Sequence, residues 1–492
     1  MEPHHRRSRN LTRASKGGVA VTKLTQELAQ FIASADTAEI GDIGIDKAKK
    51  VITDTFAVIL SGAGSEVAPP TLAFARQAGS GNVPAIGTSD RFSPPTSALV
   101  QGTFGAALDF DDVLSMMPGH PAAVIMPALM SQCDTGKVSG ADFIDAYVVG
   151  LEVGSKLSQG VGLQHYFRGF HATGTIAIFC AVASLARLHR LSERETSMAL
   201  SIAASTASGL QANFGSMTKP LHSGWAAQAA VTAVMLVQSG FTASENALEA
   251  DGGYLAAYGT DESDPAKVKP LLGSPWTIVE PGIALKKFPT CYATHRAIDA
   301  LRQIEDRVGR IRGRVSNIRC RVAPKSLRPL PFMRPETGLQ SKFSMPHALA
   351  AAVVFDELKI ASFADEAVRN PELVALYDKI DAQEDIACTE GDPDFEKKSS
   401  GTRGFVLVEV ALDDGAVESA RVDIPPGHPK RELSWADLEA KFADCAESCG
   451  LHQRQASDAF SRLHALERQA DVATICEALV RVSGAAMARE GA

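Results

Sequence analysis

Apolar residues in the first half of the chain recur at helical spacing. Ala48, Val51, Ile52, Thr55 and Ile59 fall at i, i+3, i+4, i+7 and i+11, a stripe down one helix face rather than a strand alternation. Helix follows helix over residues 23–273. Segments 202–210 and 226–237 are rich in alanine and other small residues, which lose little entropy in a helix and let axes approach closely. Breaks fall at Gly79-Ser80-Gly81, Ser93-Pro94-Pro95 and Asp251-Gly252-Gly253. Neither a solenoid-length repeat nor a heptad run occurs, so the pattern predicts a packed bundle and not an array.

The period changes after Pro281. In residues 315–322, Ile318, Cys320 and Val322 alternate with Arg319 and Arg321, the period of two of a half-buried strand. Residues 405–412 are β-branched and apolar, Asp414-Gly415 supplies a turn, and 416–424 returns as a hairpin partner. Residues 344–358 and 365–377 read as helical. Helices then resume, with Ser434 as N-cap for 435–442 and a further helix over 457–466. The predicted fold is mainly α with an α+β part: a disordered tail (1–22), a helical domain (23–278), a smaller α+β lid domain (279–425), and a C-terminal segment (426–492) that rejoins the helical domain.

Composition narrows the function. At 492 residues the chain exceeds one compact core. Its 45% hydrophobic and 22% charged residues are those of a globular protein. Lys+Arg 49 against Asp+Glu 57 leaves −8, which argues against a nucleic-acid partner. The uncharged stretches 196–218 and 223–244 are interrupted by Ser, Thr, Gln and Gly, so no membrane span is predicted. The eight cysteines are scattered without a CxxC pair, as expected of reduced thiols in a cytoplasmic protein. Cys445, Cys449 and His452 have helical spacing, but three ligands leave a structural zinc site unclosed and Gly450 ends the helix between them. The Arg-rich start lacks the apolar region of a secretory signal.

Five loci carry candidate chemistry. Asp109, Asp111 and Asp112 lie within four residues, just before His120 in a Pro-Gly-His-Pro loop. An acidic cluster on helices also suits Mg²⁺, but such sites need a second facing cluster and none is evident, so no metal is expected. His171, in GFHATG, precedes a long apolar helix. Lys219 and His222 are three apart after a helix-starting proline and project to one side; their repulsion is expected to lower the lysine pKa and suit it to proton transfer. Lys286 sits at the domain junction, with Cys291 and His295 following. Lys342 and Ser344 precede an apolar helix. Cations and histidines gathered in an acidic chain point to a pocket for a small di- or tricarboxylate, equipped for proton transfer.

At these residues the sequence resembles the MmgE/PrpD family, which includes 2-methylcitrate dehydratase, cis-aconitate decarboxylase and iminodisuccinate epimerase. The motifs are LDFDD…GHP, GFHATGT, GSMTKPLHSG, KKFPTCYATH and TGLQSKFSM, five in order over residues 24–466. The resemblance implies a helical domain built from both chain ends, an α+β lid, a homodimer, a cleft site between domains, and no cofactor or metal. It places Asp109, His120, His171, Lys219 and Lys286 in the site, with His222 beside them. Three positions depart from the family's decarboxylases: Val113 where they have Thr, Cys291 where they have His, and no Tyr in residues 327–332.

The expected reaction is cofactor-independent elimination of water from a hydroxy-polycarboxylate such as 2-methylcitrate. His171 or Lys219 transfers the proton, His120 assists the leaving hydroxyl or binds a carboxylate, and Asp109 orients a cation. His222, Lys286, Lys342 and Ser344 hold substrate. An epimerase, a cis-aconitate decarboxylase, or a silent polycarboxylate-binding protein are the alternatives, because the three reactions share a stabilised carbanion.

Overall fold

The computed structural model describes residues 23–133 and 136–481; the tail expected over 1–22 lies outside them. Two hydrophobic cores organise the chain. The first runs from Leu24 to Leu285 and resumes at Leu433 to Leu479; the second lies between Phe288 and Val422. The C-terminal segment therefore packs into the first core, as the return of helical periodicity implied.

The first core is helical. Its main helices are α1 (Leu24–Ser34), α2 (Gly41–Ala63), α3 (Pro94–Gly105), α4 (Ala122–Met130), α5 (Gly140–Val161), α6 (Ala177–Leu188), α7 (Glu193–Ala204) and α8 (Thr218–Gln238). The whole predicted stripe of α2 is buried, and so are Phe56, Val58 and Leu60 on its other faces, since α2 packs against helices on several sides, the returning C-terminal helix among them. One feature departs from an all-helical domain: Val83–Pro84 (β1) pairs antiparallel with Arg91–Phe92 (β2). A two-residue strand is too short to print an alternation.

Small residues set the crossing that matters for function. A Cβ on Gly224 of α8 would meet Thr103 Oγ1 at 2.3 Å and the Leu99 carbonyl at 2.4 Å; one on Gly102 of α3 would meet Gly224 Cα at 2.9 Å. Only glycine at both points lets α3 and α8 touch backbone to backbone. This contact fixes the first turn of α8, with Lys219 and His222, against the loop that follows α3, with Asp109.

The second core is a helix-on-sheet layer. Strands β3 (Val315–Val322), β4 (Ile380–Glu384), β5 (Val406–Leu412) and β6 (Val417–Val422) lie in the order β4-β3-β5-β6. β3 is parallel to β4 and antiparallel to β5. Ile318, Cys320, Val322, Val406, Val408 and Val410 are buried on one face, while Arg319 and Glu418 face solvent or the rim. Helices α9 (Tyr292–Val308) and α10 (Met345–Val354) pack against the sheet. The helical reading of 365–377 divides into Asp365–Val368 and Pro371–Tyr377, because Pro371 starts the second segment.

The C-terminal return supplies α11 (Trp435–Ser448) and α12 (Gln453–His464). Ser434 caps α11 in a reciprocal box with Asp437. His452 caps α12, accepting from the Arg454 N–H, so it does not join Cys445 and Cys449, which are free thiols. Within α11, buried Lys441 lies 2.6 Å from Asp54 of α2 and donates to the Phe110 and Lys286 carbonyls, each at 2.9 Å. One ammonium thus ties both chain ends to the two loops that build the site. No single helix among the described residues is long and apolar enough to cross a membrane.

Removing Lys441 leaves Asp54 as a buried carboxyl without its cation. Lys441→Met is expected to lower unfolding free energy by about 3 kcal/mol in urea titration, and Asp54→Asn in the same chain to restore part of it. A wild-type midpoint in the single variant would show that the pair does not hold the two segments together.

Candidate active site

The loop after α3 begins the site. Asp109 has φ 51°, in the left-handed region that non-glycine residues seldom occupy. One of its carboxylate oxygens takes the Lys219 ammonium, and the other lies 3.1 Å from Lys286 Nζ. Lys286 Nζ also donates to the Asp109 backbone carbonyl (2.8 Å) and to Asp111 Oδ1 (3.2 Å). All four residues are buried. Burial by itself would raise the Asp109 pKa, but the Lys219 and Lys286 ammoniums outweigh it and hold the carboxyl below its usual range. Burial would likewise discharge Lys286, but Asp109 and Asp111 carry it above the ordinary lysine value.

Asp112 serves the backbone. Both its oxygens lie 3.2 Å from the N–H of Ala122, the first residue of α4. Burial and then the Asp111 charge push its carboxyl well above the usual value. The Asp112 backbone carbonyl lies 2.6 Å from His120 Nδ1. A carbonyl only accepts, so Nδ1 carries the proton and Nε2 keeps a free lone pair. Burial, partly opposed by Asp111, brings the His120 pKa down to about 4.

His171 stands just before the short helix Ala172–Thr175. Its Nδ1 is 2.9 Å from His222 Nδ1, while its Nε2 is buried without a partner. Burial first, then the nearby Lys219 and His222, push His171 well below the ordinary histidine value. The Lys219–His222 repulsion expected from the spacing falls on the imidazole: burial and Lys219 bring His222 down to about 4. Lys219 is instead held by Asp109, between the rings of Phe214 (5.5 Å) and Phe343 (5.0 Å).

Asp109, His120, His171, Lys219 and Lys286 line a single small cavity of about 70 Å³. The lid completes the wall with Cys291, Tyr292, Phe343 and Ser400, and Val113 lies on the helical side. Burial raises the Cys291 thiol to about 11, so it is neutral. A wider cleft shares Val113, Ser399 and Gly401 with the cavity and opens it outward. Ligand atoms of Asp109, Asp111 and His120 lie within 4.8 Å of one another, as a metal site requires. Yet Lys286 Nζ already contacts both carboxylates, so a divalent cation would have to displace an ammonium beside a second one.

Not every expected residue reaches the cavity. Lys342 Nζ turns inward to the Gly338 (3.1 Å) and Phe363 (3.2 Å) carbonyls, and burial lowers its pKa. Ser344 Oγ accepts the His347 N–H at 3.1 Å and caps α10. Both are corrected from substrate-holding to structural positions; the residue between them, Phe343, is the one in the wall. His222 buttresses His171 without lining the cavity. Conversely, Tyr166, Tyr292 and Ser400 line it without having been singled out. Tyr292 stood in the KKFPTCYATH motif, whereas nothing near Ser400 in sequence marked it.

Comparison with known proteins gives two family matches. The MmgE/PrpD N-terminal domain matches residues 26–266 and the MmgE/PrpD C-terminal domain residues 288–465. Similar proteins include the cis-aconitate decarboxylases of Homo sapiens (27% identical over 439 residues, 85% of this chain and 87% of that protein) and Mus musculus (25%, 85% and 86%). That of Aspergillus terreus is 25% identical over 85% of this chain and 88% of its own.

Desolvation brings half-buried His120 down to about 4 and buried His295 down to about 3, against about 6.5 in an unfolded chain. The unfolded chain therefore binds protons first as pH falls. Stability is complete above pH 6.5 and declines toward pH 4, by about 1.4 kcal/mol per pH unit for each histidine. Thermal melts across this window are expected to show the decline, with a shallower slope in His120→Gln. A flat profile would place both imidazoles in water.

Proposed function

The chain belongs to the MmgE/PrpD family, and on that premise we propose that its cavity binds a small di- or tricarboxylate and runs a lyase reaction through a carbanion next to a carboxylate. One observation carries this reading: the buried Lys219 and Lys286, both paired with Asp109, share one cavity with two imidazoles that burial keeps neutral. Lys219 and Lys286 attract carboxylates and stabilise charge that develops during the reaction. His120 Nε2, with its free lone pair, and His171 Nε2, without a partner, are the proton-transfer atoms. The His171–His222 contact lets a proton taken at one imidazole be shared with the other.

Decarboxylation of cis-aconitate is the leading reaction, supported by the names of the relatives. Loss of CO₂ leaves an allylic carbanion, and the Lys219 ammonium is the charged acid at hand to protonate it. Dehydration of a hydroxy-polycarboxylate such as 2-methylcitrate, the reaction expected from sequence, stands second. It is favoured by the neutral imidazoles, which suit proton removal, and by Val113 and Cys291, which make the wall less polar where decarboxylases carry Thr and His. Epimerisation needs the same groups without a leaving group.

The test is proton NMR in D₂O on chelator-treated protein, with cis-aconitate, 2-methylcitrate, citrate and iminodisuccinate. Itaconate from cis-aconitate is the expected outcome. New vinyl signals from 2-methylcitrate would move dehydration to first place, and stereoisomers interconverting without elimination would indicate an epimerase. Silence with all four would overturn the lyase reading. On the active substrate, His120→Gln is expected to lower kcat/KM about 10²–10⁴-fold while the melting temperature at pH 7.5 stays within a few degrees. Full activity in that variant would remove His120 from the chemistry.

A further inference from the structure

Two residues of the cavity wall carry hydroxyls that take no part in the chemistry above. Tyr292 Oη and Ser400 Oγ are both buried without a hydrogen-bond partner. Their residues are 4% and 3% exposed, and both line the cavity. A hydroxyl that has left water and found no partner is unfavourable, so native structures keep few of them. Two on one wall of one cavity indicate a polar group that arrives with the ligand.

The lid carries both residues. Tyr292 is the first residue of α9, and Ser400 lies in the turn Ser400–Thr402. That turn lies on the tyrosine ring: a Cβ on Gly401 would sit 2.9 Å from Tyr292 Cδ1. Ser399 Oγ is already engaged with Thr402 Oγ1 at 3.1 Å, which leaves Ser400 as the free hydroxyl of the turn. Burial raises the Tyr292 phenol above its ordinary value, so it remains a proton donor at working pH. The nearby cation Arg296 does not line the cavity; its Nη1 donates to the Arg403 and Gly404 carbonyls, and its Nε is buried without a partner. The lid wall therefore offers neutral donors, while the ammoniums come from α8 and the domain junction.

We propose that Tyr292 and Ser400 form a lid-side subsite that donates two hydrogen bonds to the third carboxylate of a tricarboxylate substrate, the one not held by Lys219 and Lys286. The assignment rests on the polycarboxylate reading above. It makes these residues determinants of specificity: a ligand lacking that carboxylate leaves both hydroxyls unpaired and is rejected.

The test is calorimetric binding of two unreactive probes, the tricarboxylate tricarballylate and the unbranched dicarboxylate glutarate, which lacks its central carboxylate, to the full-length protein. Tyr292→Phe/Ser400→Ala removes both hydroxyls and little volume. The double variant is expected to bind tricarballylate about 10–100-fold more weakly, glutarate within about threefold, and to melt no lower than wild type, since it loses two unsatisfied groups. Unchanged tricarballylate binding in the variant would overturn the subsite and leave the polycarboxylate reading standing. If wild type binds neither probe, the polycarboxylate reading fails and the subsite with it.

Discussion

A buried carboxylate cannot stand alone, and Asp109 is the carboxylate around which this protein is arranged. Two ammoniums must reach it from distant parts of the chain, Lys219 from α8 and Lys286 from the junction of the two cores. Asp111 then balances Lys286. Behind them Lys441 of the C-terminal helix holds the Phe110 and Lys286 carbonyls while pairing with Asp54. Each of these charges would be costly in isolation, by several kcal/mol. The arrangement is tolerable only when all segments are in place. That requirement couples the site to the assembly of both chain ends.

The same cluster divides the labour of the cavity. Asp109 and Asp111 at close range keep the buried Lys286 charged, and burial keeps the imidazoles of His120 and His171 neutral. Cations that bind and bases that accept protons then coexist within one small space. In open solvent, lysine and histidine would differ less sharply in role, and the carboxylates would be as free to take a metal as an ammonium. The Gly102–Gly224 crossing is what brings the two sets within reach, since any side chain there would separate α3 from α8.

Sequence reading succeeded where a signal is local. The α2 stripe, the alternation of β3 and β5, the Asp414-Gly415 turn and the Ser434 cap each follow from neighbours a few residues apart, and each is present. It failed where identity is shared between roles. Lys342 and Ser344 look like an anion anchor, but a serine ahead of a helix is equally a cap, and a lysine surrounded by carbonyls is equally structural. The β1–β2 ribbon went unread because two residues carry no period.

The chain by itself determined the classes of element, the presence of two cores, and the residues that would meet in the cavity: Asp109, His120, His171, Lys219 and Lys286. Periodicity displays the elements directly; the five cavity residues stood out by chemical type, and the family resemblance of their motifs implied that they share a site. Only the tertiary structure decided which partner each one takes. Lys219 pairs with Asp109 rather than repelling His222, His222 supports His171 rather than lining the wall, and Tyr292 and Ser400 face the cavity from the lid. Charge pairing, desolvation and hydrogen-bond satisfaction act over a few ångströms between residues more than a hundred positions apart. No spacing along the chain encodes them.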